Sequence, residues 1–232
     1  LLQAYFSDIH LKLVWRQTEM SAQTERNKPL LDSGTCVTAT AHAVLAGKSP
    51  QVSSQEFLEM LLEIEKNAQI HASSQFENFL GTWRLCFVTG TKKPHHSQGR
   101  LVGRGFYIPQ WVKMQIVYSS GNPTAHGLQA ADNVGQIANQ VNWGGLSLSL
   151  TGPARCWPKK NIMVFDFTRL QVKAFGKILY NGFIRGGQAS EKNFWSEHVR
   201  TQAFFVYFLI QDQVLAARGR GGGIALWVKT VS

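Results

Sequence analysis

The amino-acid sequence predicts a mainly β fold, in which about ten short strands close into an antiparallel barrel or sandwich behind an amphipathic helix and an irregular N-terminal arm. Three observations carry this reading. Aromatic residues make up 11% of the 232 residues and glycine supplies 21 positions, a mixture suited to strands and turns. From Gly81 onward, apolar residues recur with period two. No long helix separates the strand candidates, so neighbours must run antiparallel, and so many strands in one domain need closure or a second sheet to remove their edges.

The elements follow in chain order. Leu2, Phe6, Ile9 and Leu13 share one helical face, although Ile9, Leu11, Leu13 and Trp15 also alternate; a helix is expected here. Thr18 to Pro50, rich in Ser, Thr, Gln and Asn, reads as irregular, so residues 1–52 form an arm and residues 53–232 the helix and barrel. In Gln55 to Ala68 the stripe Phe57, Leu58, Leu61, Leu62 and Ile64 opposes Glu56, Glu59, Glu63 and Lys66. Ser53 or Ser54 supplies its N-cap, and the acidic polar face favours packing on its own domain over a membrane surface.

Strand alternation then begins with Trp83, Leu85 and Phe87 and is repeated in Leu146, Leu148 and Leu150 against Ser147 and Ser149. Further strand candidates are Gly105 to Ile108, Val112 to Tyr118, Gly135 to Asn142, Ile162 to Phe167, Leu170 to Phe175, Ile178 to Ile184, Thr201 to Ile210, Val214 to Ala217 and Ile224 to Lys229. Gly90 to Gly105 and Ser119 to Gly135 read as long loops.

Charge is uneven. Residues 1–80 carry 6 basic and 9 acidic side chains, residues 81–232 carry 18 and 5, so a net of −3 precedes a body of +13. Such a field favours an anionic partner: phosphate backbones, acidic headgroups or an acidic protein face. The longest apolar run, Ala203 to Ile210, is far short of the ~20 residues of a membrane-spanning helix. Cys36, Cys86 and Cys156 are odd in number and widely spaced, which argues against a disulfide framework and for a reducing compartment.

Catalytic patterns are sparse. Neither a phosphate-binding Gly-x-x-x-x-Gly-Lys loop nor a dinucleotide glycine fingerprint occurs. The adjacent His95 and His96 sit in a basic loop where solvation is expected rather than metal binding. Only Asp132, Asp166, Glu191, Glu197 and Asp212 could orient a base in the strand-rich part, so no enzyme is expected and no metal site is assigned. Arg218-Gly219-Arg220-Gly221-Gly222 looks like a fragment of an Arg/Gly-rich RNA-binding segment, yet a single copy between two apolar strands reads first as a hairpin turn.

Taken together, the amphipathic helix Gln55 to Ala68, the strand start Gly81-Thr82-Trp83-Arg84-Leu85, the middle segment Gly135-Gln136-Ile137-Ala138-Asn139-Gln140-Val141 and the ending Leu215 to Trp227 resemble the plastid lipid-associated protein family, the plastid fibrillins. The likeness runs over residues 55–232. Asn67-Ala68-Gln69 lacks the proline usual after the family's helix, the acidic segment before the final Arg-Gly is reduced to Asp212, and residues 1–50 have no counterpart.

The resemblance implies a lipocalin-like antiparallel β-barrel in a chloroplast, peripheral to the thylakoid, that binds lipids, carotenoids or other hydrophobic molecules without catalysis. It implies no fixed cofactor, and a bound lipid, carotenoid or chlorophyll fits it. Trp83, Leu85, Phe87, Phe204, Val206 and Phe208 are then expected to line the barrel, with packing as the competing role of each. Gly81, Trp83, Arg218 and Gly219 are expected to close one end, Arg218 stacking over Trp83. Two other functions compete: a structural or linker subunit docked by its arm on a photosystem or antenna complex, and a basic protein binding single-stranded RNA.

Overall fold

The computed structural model describes residues 33–68, 74–90, 95–97, 100–121 and 133–230. The expected helix at Leu2 to Leu13 and most of the arm lie outside these residues. Where the arm was read as irregular, Ser33–Leu45 forms a helix, α1. Its buried residues Val37, Thr40, Ala41 and Val44 follow helical spacing, but they are small or β-branched and give a weak sequence signal. Helix α2, Ser54–Asn67, is capped by Ser53: the Ser53 side chain accepts from Glu56 N, and the Glu56 carboxylate accepts from Ser53 N at 2.9 Å. Phe57, Leu58, Leu61 and Leu62 are its buried face. Among the described residues no helix is long and apolar enough to cross a membrane.

The strands are β1 Gly81–Thr89, β2 His95–Ser97, β3 Arg100–Val102, β4 Gly105–Tyr107, β5 Lys113–Ser120, β6 Val134–Trp143, β7 Leu146–Trp157, β8 Ile162–Phe165, β9 Arg169–Ala174, β10 Lys177–Phe183, β11 Ala203–Ile210, β12 Val214–Gly219 and β13 Ile224–Thr230; a short helix, α3, spans Gly187–Asn193. Around the wall the order is β1, β13, β12, β11, β8, β7, β6, β5 and back to β1, a closed eight-stranded antiparallel barrel. Within Gly90 to Gly105, read as a loop, β2 and β3 pair as a small hairpin.

Strand β7 has two partners on one edge. Its first half, Leu146 to Thr151, pairs with β9, and its last part, Ala154 to Trp157, pairs with β8. The wall therefore forks: β8 turns in to meet β11 and close the barrel, while β9 and β10 peel away as a two-stranded flap whose outer strand is, among the described residues, a free sheet edge. Helix α3 ties the fork, because Glu191 accepts from Thr168 Oγ1 at 2.7 Å and pairs with Arg169, and Ser190 Oγ donates to Asp166 at 2.9 Å.

Register assigns the faces. Gln115, Gln140, Ser149 and Gln171 stand in one row on the outside, with Gln115 Nε2 donating to Gln140 at 2.8 Å. Met114, Val141, Leu148 and Val172 make the neighbouring row on the inside. Bulges between Leu85 and Phe87 in β1 and between Tyr207 and Leu209 in β11 invert this alternation. Outside the bulges, α1 and α2 cover a second core of Val37, Phe57, Leu61, Cys86, Phe87, Ala216, Leu226 and Val228. Burial there pushes the Cys86 thiol up to about 12.

Candidate functional site

One end of the barrel is filled. A 3₁₀ turn, Phe76–Phe79, precedes β1 and inserts two buried phenylalanines. Its position is fixed from two loops: Asn133 Oδ1 accepts from Phe76 N at 2.9 Å and Asn161 Oδ1 from Ser74 N at 3.4 Å, each asparagine adopting the left-handed backbone it tolerates well. Gly135 makes the space, since a Cβ there would lie 2.1 Å from the Phe76 ring. Phe79 meets the rings of Tyr118 and Tyr207, whose hydroxyls hydrogen-bond at 2.7 Å in the sealed interior. Burial holds both phenols well above their usual pKa and hence protonated.

This filled end corrects the expected closure. Trp83 belongs to it: the residue is fully buried and its indole Nε1 donates to Phe79 O at 2.6 Å. Gly81 opens the strand beside it, and the cation over the Trp83 ring is Lys229, 5.0 Å from the centroid. Arg218 and Gly219 take no part, because Arg218 pairs across β13 with Ile224, far along that strand from Lys229, and points to the outer face. Its guanidinium grips both carboxylate oxygens of Glu65 on α2 at 2.6 Å and donates to Gly222 O. Arg220 likewise donates to the backbone carbonyls of Thr201 and Gln202, so the Arg/Gly segment is the β12–β13 turn, with its arginines engaged in the fold.

A double-mutant cycle separates the two partners. Glu65→Ala with Arg218→Met is expected to show a coupling of about 1–3 kcal/mol, since the pair is mostly buried and bidentate. Arg218→Met with Trp83→Phe should be additive within about 0.5 kcal/mol. Equal couplings in chemical denaturation would reinstate the Arg218–Trp83 pair.

The expected lining is also corrected. Trp83 and Leu85 face inward, but the β1 bulge turns Phe87 outward, where it packs on Phe57 at 4.9 Å between ring centroids. In β11 the inward residues are Phe205 and Tyr207. Val206 pairs with outward Arg218, Phe204 shares its parity, and Phe208 packs toward the helices. An unbroken apolar run hides which alternate set is inside.

At the other end the inward-facing residues Val88, Asn139, Val141, Leu148, Phe205 and Ala225 are only half-buried, whereas Trp83, Tyr118, Ile137, Met163, Tyr207 and Leu215 below them are sealed. The barrel is thus packed at the 3₁₀ turn and accessible at its mouth. Phe205 packs on Phe165, ring centroids 4.9 Å apart, and edge-on against Trp227 at 5.4 Å, and the buried Phe165 and Trp227 form an aromatic floor to the mouth. Asn139 is the polar member of this ring. The segment Gly135, Ile137, Asn139 and Val141 supplies one inward row, running from the filled end to the mouth. Such a surface offers apolar contact, aromatic rings and one amide. No family model matches the chain, and no curated protein matches it.

Proposed function

We propose that this chain is a non-enzymatic binding protein that holds one end of a lipid, carotenoid or other hydrophobic molecule in the barrel mouth, at the thylakoid of a plastid. The observation that carries the binding is the ring of half-exposed, inward-facing apolar residues above the Phe165 and Trp227 floor. Apolar surface that water can reach loses free energy when a ligand covers it, roughly 25 cal/mol per Å². The setting rests on the resemblance to plastid lipid-associated proteins. Because the other half of the barrel is packed with side chains, the cargo enters by an end and leaves the rest outside. Asn139 then meets a hydroxyl or carbonyl of the cargo, which gives orientation more than affinity.

The test has two arms. Organic extraction of protein isolated from its native membrane, followed by absorbance and mass spectrometry, should release a hydrophobic molecule in proportion to protein. Leu148→Glu puts a carboxylate in the mouth at a half-buried position, so capture of a fluorescent fatty acid should fall by about tenfold or more with little change in melting. Empty native extracts together with unchanged capture in the variant would remove the proposal.

A further inference from the structure

The flap breaks the rule that free sheet edges are guarded. Along β10 nearly every side chain is exposed: Ile178 lies 57% open on the outer face, Tyr180 45% open on the inner face, and Leu179, 66% open, sits in a bulge between them. At the turn between β9 and β10, Phe175 is 83% exposed. This turn abuts the tip of the β6–β7 hairpin, Phe175 N donating to Gly145 O at 2.7 Å, and that tip carries Trp143 and Leu146, 55% and 46% exposed. Two adjacent hairpin ends therefore present one cluster of large apolar side chains. The cluster stands at the same end of the barrel as the mouth, since Val141 and Leu148 lead directly to Trp143 and Leu146.

Charge surrounds the cluster with one sign. Register places Lys113 beside Asn142, Lys173 beside Ser147 and Lys177 beside Ala174. In the two tips themselves, from Asn142 to Ser147 and from Lys173 to Lys177, the sequence holds two lysines and no acidic residue. Strand addition by a second copy would cover only the edge of β10 and leave Phe175, Ile178 and Tyr180 in water. A fluid apolar phase closes around both faces of a projecting ribbon at once, and anionic headgroups complement the lysines.

We propose that the twin tips of the β6–β7 and β9–β10 hairpins insert into an anionic lipid surface and seat the barrel mouth-first upon it. This rests on the carrier reading for the membrane setting, but not for the cargo. The mouth then opens at the lipid, so a hydrophobic molecule passes between membrane and barrel without crossing water.

Flotation with phosphatidylcholine vesicles, with and without phosphatidylglycerol, tests it. The full chain should bind the anionic vesicles, bind phosphatidylcholine alone about tenfold less, and lose affinity as salt is raised. In a Phe175→Asn, Leu179→Asn variant, anionic binding should fall by at least about tenfold while melting and fatty-acid capture stay unchanged, because both side chains project into solvent. Asparagine suits position 175, where φ is +46°. Wild-type protein that captures fatty acid but ignores both vesicles overturns the docking and leaves the carrier standing; vesicle binding without capture does the reverse. Undiminished vesicle binding by the tip variant, or a tip-dependent dimer on size separation, also overturns it.

Discussion

Trp83→Ala is expected to lower the stability of the barrel by about 3–5 kcal/mol, which for a domain of this size lowers the melting temperature by roughly 6–20 °C. The indole is fully buried against the 3₁₀ turn, so truncation leaves a cavity that the closed wall cannot collapse to fill. It also leaves Phe79 O without the donor it now has at 2.6 Å. Trp83→Phe keeps most of the volume and loses only the N–H, so about 1–3 kcal/mol is expected from that variant. The difference between the two, read by calorimetry, separates packing from the hydrogen bond. Melting of Trp83→Ala within a degree or two of wild type would mean that this end is not held by the tryptophan.

What the sequence conveys depends on how steep each local pattern is. Helix α2 was legible because a clean apolar stripe meets an acidic face and a serine cap. Leu146, Leu148 and Leu150 were legible for the same reason, as serines mark the outward positions between them. Helix α1 was not, since Val37, Thr40, Ala41 and Val44 are small and their helical state comes from docking against β1 and β13. Nor was the 3₁₀ turn at Phe76, which is too short for any period to register.

The candidate site was half legible, for a related reason. The segment Gly135 to Val141 stood out as a unit, and the structure gives its period-two members one inward row. Phe87 was misplaced because a bulge adds one residue and moves everything beyond it to the opposite face, whereas Phe204 and Val206 precede the β11 bulge and were misplaced because an unbroken apolar run does not show which alternate set faces inward. Apolar content gives no warning of this where both faces are covered, outside by α1 and α2 and inside by the aromatic stack. Arg218 was misplaced because the resemblance implies an arginine stacked over the tryptophan of the first strand; Glu65, on an element distant in sequence, offers it a bidentate carboxylate instead. The flap tips left no periodic signal at all, because Phe175, Ile178, Leu179 and Tyr180 are apolar without regard to face.

The fork in the wall supplies the second large expected effect. Gly152 sits in β7 where its partner changes from β9 to β8, and Asp166 and Thr168 cross directly over it, held by Asp166 N to Pro153 O at 3.2 Å and Thr168 N to Thr151 O at 3.0 Å. A Cβ at position 152 would lie 2.0 Å from the Asp166 carbonyl oxygen. That contact is with backbone, so no rotamer relieves it, and the crossing segment must move. Two attachments move with it: β8, which closes the barrel against β11, and Thr168, whose hydroxyl is bound to Glu191 on α3. Gly152→Ala is therefore expected to cost about 3 kcal/mol, the upper part of the usual range for overpacking, and Gly152→Val more. Limited proteolysis should show cleavage between β8 and β9 well below the melting temperature, because strain there loosens the fork before the rest of the wall. Wild-type melting and protease resistance in Gly152→Ala would mean that the two strands do not cross at this point, and the flap and the barrel would then not share β7 as their common edge.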